Sequence, residues 1–246
     1  MMTKFILPNL KSFNSANPLK FKTISPFNNS FCMPLEEITN LVSISNLDFL
    51  PPAGSYCSSQ SSSIDGEKLC EISANSYLKD FDSSCRRLKG NLTIKSGDED
   101  YVGKLKSVTW IYGVVIIEET NLTAIDFFDN LQYVVITEDN ISSFQVLRNR
   151  NLANVTFPKQ LKLIAPDMWL PSPMVFTANH ESLTSDPIIC KRIQNSMTTF
   201  DRNVPIINGK TCDFIEAEYN WRNGDNGDRL VTSVVGFMGL VTTLFI

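Results

Sequence analysis

The sequence has very little histidine and no excess of basic residues, and both shortages limit its possible functions. Only one of the 246 residues, His180, is a histidine, which excludes histidine-rich zinc sites and leaves one side chain for any serine–histidine or cysteine–histidine catalytic pair. The 22 basic residues are outnumbered by 26 acidic ones, whereas a general nucleic-acid binder needs a basic face. The 11 glycines and 12 prolines are too few for a collagen or a low-complexity chain.

The cysteines and the glycosylation sequons indicate a secretory route. No Cys-x-x-Cys pair occurs, so zinc ribbons and thioredoxin-type motifs are excluded by spacing. An even number of widely spaced cysteines is typical of disulfides in secreted proteins, and six reduced cysteines in a cytosolic protein are the alternative. At Asn121 and Asn140, which lie in polar turns between β-rich runs, a hydrogen bond from the side chain to the neighbouring backbone is the alternative to a glycan. The predicted disulfide cysteines are Cys32, Cys57, Cys70, Cys85, Cys190 and Cys212, and the predicted glycosylation sites are Asn28, Asn91, Asn121, Asn140 and Asn154.

Residues 230–246 form an uncharged apolar segment that predicts attachment to a membrane. As a helix these 17 residues would extend roughly 25 Å, close to the ~30 Å hydrocarbon core of a bilayer. A single C-terminal transmembrane helix is the first interpretation, with residues 216–229 as a polar juxtamembrane linker. A glycolipid-anchor signal, preceded by small and polar residues at 223–227, is the second. A buried strand or core helix is the third.

The start of the chain does not read as a secretory signal peptide, because Pro8 and Asn9 interrupt its apolar run. The lysines of residues 1–35, with no acidic residue among them, resemble a mitochondrial transit peptide. An internal repeat favours another interpretation, since residues 31–57 share the pattern of residues 189–212. We therefore expect residues 1–57 to be the C-terminal fragment of an earlier domain whose front is absent, followed by a serine-rich linker at 58–65.

Four short β-rich runs follow one another in the middle of the chain, 20–23 residues apart. They are rich in valine, isoleucine, threonine and tyrosine, as is typical of strands. Runs with this period predict a solenoid, because no single turn can bury its apolar face without stacking on its neighbours. The runs are Leu88–Ile94, Ile111–Ile117, Leu131–Ile136 and Leu152–Phe157.

The candidate ligand-binding residues are three aromatic side chains on these runs, Trp110, Tyr112 and Tyr133. Aromatic rings presented on a flat sheet are suited to anchoring a protein ligand, and packing in the core is the alternative for each. The acidic run at residues 98–100 lacks a calcium-loop pattern and predicts a solvated turn. We predict that His180 lies in a surface loop. We therefore predict no catalytic residue, no metal site and no cofactor.

In their order along the chain, these features resemble the receptor L domain of the insulin and epidermal-growth-factor receptors, with the greatest likeness to nematode L-domain proteins that lack a kinase. The resemblance covers residues 66–215 fully and residues 5–57 as a fragment. It implies a mainly β fold, a short right-handed parallel β-helix similar to a leucine-rich-repeat solenoid, with small helical caps. The implied disulfide pairs are Cys32–Cys57, Cys70–Cys85 and Cys190–Cys212. The matching features are Cys70, Cys85, Leu88–Ile94, Gly113–Ile117, Thr120–Leu122, Cys190 and Cys212.

We therefore expect a non-enzymatic extracellular glycoprotein at the cell-surface membrane that presents a β-helix face to a protein or peptide ligand, as a ligand sink or an adhesion module. Growth-factor clamping is not implied, since no cysteine-rich module separates Cys57 from Cys70. One alternative is a secreted β-helix enzyme acting on polysaccharide. The other is a purely structural surface module.

Overall fold

Two mainly parallel sheets form most of the computed structural model, which describes residues 12, 19–22, 32–44, 47–51, 56–57, 61–73, 76–136, 142–159, 161–165, 174–196 and 204–223. The strands are β1 (Leu19–Lys22), β2 (Leu47–Leu50), β3 (Ser63–Ile64), β4 (Glu67–Glu71), β5 (Arg87–Lys89), β6 (Leu92–Ile94), β7 (Trp110–Tyr112), β8 (Val115–Glu118), β9 (Ala124–Ile125), β10 (Tyr133–Val135), β11 (Phe144–Leu147), β12 (Asn154–Val155), β13 (Lys162–Ile164), β14 (Met174–Thr177) and β15 (Ile206–Ile207). The α-helices are α1 (Leu35–Ser43), α2 (Glu181–Ser185), α3 (Pro187–Ser196) and α4 (Cys212–Arg222), and two 3₁₀ helices span Leu78–Asp80 and Glu99–Ser107.

The six-stranded sheet has the strand order β13-β10-β7-β5-β4-β3. Its strands pair in parallel, except that β3 and β4 form an antiparallel hairpin. The central residues of four strands lie side by side and form an apolar row, because each side chain at that position points to the same face. The row consists of Leu88, Ile111, Val134 and Leu163.

The five-stranded sheet, in the order β15-β14-β11-β8-β6, is parallel throughout and shares a hydrophobic core with the six-stranded sheet. Burial alternates along β8 and β11, as the two-residue period of a strand requires. Val115 lies beside Phe144 and Ile117 beside Val146, so the buried rows of adjacent strands coincide. Each such large apolar side chain contributes about 1.5–3 kcal/mol when fully buried. Strands β9 and β12 form a small parallel pair beside these sheets.

Asparagines join the turns that follow strands of the five-stranded sheet. The buried Asn149 Oδ1 accepts hydrogen bonds from the backbone N–H and the hydroxyl of Thr120, and its amide nitrogen donates to the carbonyls of Ile117 and Leu147. Asn179 Oδ1 accepts from the backbone N–H of Asn149 at 3.0 Å. This ladder satisfies backbone groups that would otherwise be buried without partners, so it holds successive turns in register.

The described residues of the N-terminal segment, which runs from residue 32 to residue 57, pack on the outer face of the six-stranded sheet. Its helix α1 buries Leu35, Ile38 and Leu41, and these side chains join Trp110 and Tyr112 in a second hydrophobic cluster. Strands β1 and β2 pair in parallel. Two opposite faces of the six-stranded sheet are therefore covered, one by the main core and one by α1.

The predicted disulfide bonds are confirmed. Cys32 bonds to Cys57, Cys70 to Cys85 and Cys190 to Cys212, with Cα atoms 4.8, 5.8 and 5.4 Å apart, respectively. These pairs are the ones implied by the resemblance. Disulfides that close loops of this size contribute roughly 3 kcal/mol each when their effect on the unfolded chain is considered.

The predicted fold class, a short right-handed parallel β-helix with small helical caps, is wrong. The described residues form separate sheets of six, five, two and two strands without closing into a solenoid, and one pair of strands is antiparallel. The four β-rich runs are not turns of one repeat, because Leu88–Ile94 and Ile111–Ile117 each supply strands to both large sheets, whereas Leu152–Phe157 supplies β12 to the small β9–β12 pair. Alternating apolar residues indicate a strand, but they do not specify its partner.

The predicted C-terminal hydrophobic helix is also unsupported. Residues 230–246 lie outside the described residues. Among the residues that the structure does describe, no helix is long and apolar enough to span a bilayer.

Candidate functional site

The structure brings the three predicted ligand-binding residues together on the outer face of the six-stranded sheet, here called the aromatic face. Trp110 and Tyr112 alternate along β7, and Tyr133 lies beside Trp110 on β10. The rings of Trp110 and Tyr133 stack with centroids 3.8 Å apart, and those of Trp110 and Tyr112 with centroids 5.6 Å apart. The ammonium group of Lys162 lies 5.3 Å from the Tyr133 ring and extends the row on β13.

Most of the aromatic face is covered by the N-terminal segment. Trp110 is 4% exposed and Tyr112 is fully buried, whereas Tyr133 is half-buried. The Tyr56 ring meets the Tyr112 ring edge to face, and the Tyr56 hydroxyl donates to the carbonyl of Val135 at 2.5 Å. The face therefore already holds a folded segment of its own chain, and its open edge lies at Tyr133.

A buried guanidinium organises the polar part of this contact. Arg87 is 4% exposed, and its Nε donates to Glu67 Oε2 at 2.7 Å while Nη2 donates to Asp65 Oδ2 at 3.0 Å. Its Nη1 donates to the hydroxyls of Tyr112, at 3.1 Å, and Thr39, at 3.3 Å. The planar fork of arginine is suited to this role, because a lysine offers one charged point instead of several fixed donors. We call Arg87, Glu67, Asp65, Tyr112 and Thr39 the Arg87 cluster.

The hydrogen-bond directions within the Arg87 cluster follow from its geometry. The Thr39 hydroxyl donates to the carbonyl of Leu35 at 2.8 Å, so its oxygen is left to accept from the Tyr112 hydroxyl, 2.5 Å away. The Tyr112 oxygen then accepts from Arg87. Each polar group has a partner, which is the condition under which a buried polar network stabilises a contact. Thr39 therefore supplies the hydroxyl through which α1 is hydrogen-bonded to Tyr112 and Arg87 of the sheet.

Burial and the neighbouring charges shift the pKa values of this site. Burial raises the pKa of Tyr112. The hydrogen bonds with Thr39 and Arg87 and the positive charge of Arg87 lower this pKa, but the effect of burial is larger. Burial also raises the pKa of Tyr133 and lowers the pKa of Lys162. For Arg87, burial lowers the pKa, but Tyr112 and Glu67 outweigh it, so the pKa is raised overall. At neutral pH the site thus holds a charged arginine and a neutral tyrosine.

Apart from Tyr112, no member of the Arg87 cluster was predicted from the sequence. The sequence does contain one signal for Arg87. Aligning the run Leu88–Ile94 with Ile111–Ile117 places Arg87 opposite Trp110, and the structure pairs these two residues in register. The guanidinium carbon lies 5.1 Å from the centre of the Trp110 ring. A charged residue aligned with an aromatic one predicts a polar position on the same face. No comparable signal identifies Thr39.

The predicted glycosylation sites occupy different environments. Asn121 and Asn154 are exposed, whereas Asn91 is half-buried and its Oδ1 accepts from the backbone N–H of Val114 at 2.9 Å. Asn28 and Asn140 lie outside the described residues. Glycosylation stays a prediction at all five positions.

The remaining polar candidates have structural roles. The acidic run predicted as a solvated turn includes the buried Asp98, whose carboxylate accepts from the backbone N–H of Leu78 at 3.0 Å. His180 accepts from the N–H of Ser182 and caps α2. Within the described part of the chain, no group of three or more acidic, histidine or cysteine residues is arranged to hold a metal ion.

Comparison with known proteins finds a family similarity in the middle of the chain. Residues 84–195 match the family model of the receptor L domain, a non-enzymatic ligand-binding domain, and the match begins just before β5 and ends within α3. No curated protein and no solved structure matches the chain. The narrower likeness to nematode proteins therefore has no support in these comparisons.

Proposed function

We propose that this receptor L domain is part of an extracellular, non-enzymatic protein that binds a protein or peptide ligand on its aromatic face. The family match supports a ligand-binding role in a receptor-like protein. The observation that carries the choice of surface is that the aromatic face already holds an amphipathic helix, α1, by apolar contacts and by the Arg87 cluster. A surface that holds one helix in this way has the chemistry to hold another.

The aromatic face combines two features of strong protein-binding surfaces. Trp110, Tyr112 and Tyr133 supply rigid rings, which lose little conformational entropy on binding and are enriched among the residues that dominate binding energy. Arg87 supplies directional donors at the centre of the apolar surface. A suitable ligand is thus an amphipathic segment with a hydroxyl on its apolar side, as Thr39 has on α1.

Because α1 covers the face, an external ligand has two routes to it. Binding at the exposed edge formed by Tyr133 and Lys162 leaves α1 in place, since both side chains are only half-buried. Binding over Trp110 requires α1 to leave. The proposal includes the second route, in which the N-terminal segment competes with the ligand.

The proposal also treats residues 1–57 as part of an earlier L domain. In support, both ends of the chain contain two strands that pair in parallel and are separated in sequence by helices. Strand β1 pairs with β2, with α1 between them in sequence, and β14 pairs with β15, with α2 and α3 between them in sequence. A disulfide accompanies each unit, Cys32–Cys57 in the first and Cys190–Cys212 in the second.

Membrane attachment through residues 230–246 completes the proposal, and its support is the uncharged apolar sequence of that segment. Expression in animal cells with and without residues 230–246 tests it. The full chain should stay with the cells, and the shortened chain should enter the medium. Equal amounts of both in the medium would remove membrane attachment from the proposal.

A cleavable linker tests the aromatic face as a binding surface. A protease site replaces residues 58–60 in the full chain, and the folded protein is then cut. A labelled peptide of residues 32–57, closed by its disulfide, should exchange with the bound segment and saturate. Tyr133→Ala should weaken the exchange, whereas Lys191→Ala should not, because helix α3 contributes no residue to the cluster on the aromatic face.

The cut protein is then used to search for the ligand among extracellular proteins. A ligand of the aromatic face should bind the cut protein more tightly than the intact one and should be displaced by the peptide. Failure of the peptide to bind would contradict the proposed surface. A ligand that binds both forms equally and ignores the peptide would place the binding site elsewhere.

A further inference from the structure

We propose that the N-linked glycan predicted at Asn154 covers the groove between β12 and α3. Its first sugar residues lie on Ile188, and the glycan closes this groove to other molecules. The inference rests on the proposed extracellular location, since N-linked glycans are added in the secretory pathway.

The groove, of about 640 Å³, lies at the C-terminal end of the domain. Pro187, Ile188 and Phe157 form its apolar part, and Lys159 and Arg192 stand at its rim. Ile188 is 69% exposed, one of the most exposed large apolar side chains in the described residues. A group that lies on this groove therefore meets an apolar surface at Ile188 and hydrogen-bond donors at Lys159 and Arg192.

The side chain of Asn154 stands at the edge of this groove by two independent observations. Asn154 and Thr156 are exposed on either side of the buried Val155, so they point to the same side of the segment, and Thr156 lines the groove. Arg192, another lining residue, donates from Nη1 to Asn154 Oδ1 at 3.2 Å. A sugar attached to Asn154 therefore begins beside Arg192.

The hydrogen bond from Arg192 is compatible with attachment of the glycan. In the transfer, Asn154 Nδ2 forms a bond to the anomeric carbon of an N-acetylglucosamine carried on a lipid diphosphate. The bond from that carbon to the phosphate oxygen breaks, the diphosphate leaves, and Nδ2 loses one proton. Because Oδ1 takes no part in the new bond, it still accepts from Arg192, which then holds the amide that carries the glycan.

The lining of the groove is mixed in charge, with Lys159, Lys191 and Arg192 beside Glu216. Lys191 forms ion pairs with Asp213 and Glu216. Sugar hydroxyls are neutral and both donate and accept hydrogen bonds, and the C–H face of a sugar ring is suited to pack on Ile188.

Asn121 is the matched comparison for this site. It is exposed as Asn154 is, and its backbone N–H donates to Glu99 at 2.8 Å. It does not line the groove. A glycan at Asn121 therefore reports on secretion, and a glycan at Asn154 reports on both secretion and the groove.

The test uses the full chain expressed in animal cells, and mass spectrometry of glycopeptides measures the occupancy of each sequon. Asn154 should carry a glycan. Asn154→Gln should raise the fluorescence of a dye that binds apolar surface by about twofold and speed the acetylation of Lys159, because the groove is uncovered. Asn121→Gln should change neither. Ile188→Ser added to Asn154→Gln should return the dye signal to that of the unaltered protein.

Each outcome separates the two proposals. An unmodified Asn154 in a protein glycosylated at Asn121 would overturn the inference and leave the extracellular location intact. A glycan on Asn154 with an unchanged dye signal in Asn154→Gln would overturn the covering of the groove. A protein without a glycan at any sequon would overturn the inference together with the extracellular location. Trimming of the glycan to a single N-acetylglucosamine should preserve the protection of Lys159, and its loss would overturn the role of the first sugar.

Discussion

The hydroxyl oxygens of Thr39 and Tyr112 lie 2.5 Å apart, although the two residues are 73 positions apart in the chain. Thr39 belongs to α1 and Tyr112 to β7, so this bond joins the N-terminal segment to the six-stranded sheet. Both groups are buried. Loss of either would leave the other and Arg87 Nη1 with fewer partners in a place that water does not reach.

Replacement of Thr39 by valine should lower the free energy of unfolding by about 1–3 kcal/mol, since the substitution keeps the shape and removes the hydroxyl. Tyr112→Phe should have an effect of similar size. The double variant should lose less than the sum, with a coupling of about 0.5–3 kcal/mol, as for residues in one network. Urea unfolding of the full chain measures these values, and Asn40→Ala, at an exposed position of α1, is the control. Simple additivity would show that the two hydroxyls do not interact.

Stability should fall at alkaline pH because of Tyr112. Burial, the largest influence, raises the pKa of Tyr112 in the folded protein, so the folded state favours the neutral phenol. This contribution is fully present below the unfolded pKa of about 10 and is lost as the pH rises through the raised pKa of the folded state. Unfolding measured between pH 8 and 12 should show a steeper loss of stability for the natural protein than for Tyr112→Phe. Parallel curves for the two proteins would contradict the burial of an ionisable phenol.

Asn149→Ala should cost at least about 2 kcal/mol of stability, because it removes the partners of several buried groups at once. The N–H and hydroxyl of Thr120 and the carbonyl of Ile117 would each lose a hydrogen bond. Asn149→Asp keeps an acceptor for Thr120 but loses the amide donor, so it should also destabilise the fold. Thermal unfolding measures the change, with the exposed Asn151→Ala as the control. An equal effect of both alanine variants would show that the ladder contributes nothing.

Gly90→Ala should destabilise the protein strongly. Gly90 has a φ of 114°, and an added Cβ would lie 2.3 Å from the carbonyl oxygen of Ile72. The backbone strain alone costs on the order of 1–3 kcal/mol, and the steric overlap adds to it. Gly103→Ala is the matched control, because a Cβ there meets no atom within 4 Å. Denaturant unfolding should show a large loss for the first variant and almost none for the second, and similar values would contradict the close approach of β5 and β4.

Local patterns predicted the strand positions of three aromatic residues, Trp110, Tyr112 and Tyr133, and the structure stacks their rings on one face. Their role as a ligand face stays a prediction. The rings are buried, but the group that buries them is the N-terminal segment and not the main core.

The sequence by itself determined which runs form strands, since alternating burial follows from the two-residue period of the strand. It also supplied the cysteines for the three disulfides. Only the tertiary structure decided which strands are neighbours. The run Ile111–Ile117, for example, contributes to two sheets, and its alternating pattern does not show this. The same holds for the Arg87 cluster, which joins residues from Thr39 to Tyr112. A side chain's local neighbours set its backbone conformation, whereas its burial and its hydrogen-bond partners depend on distant segments that meet only in the folded chain.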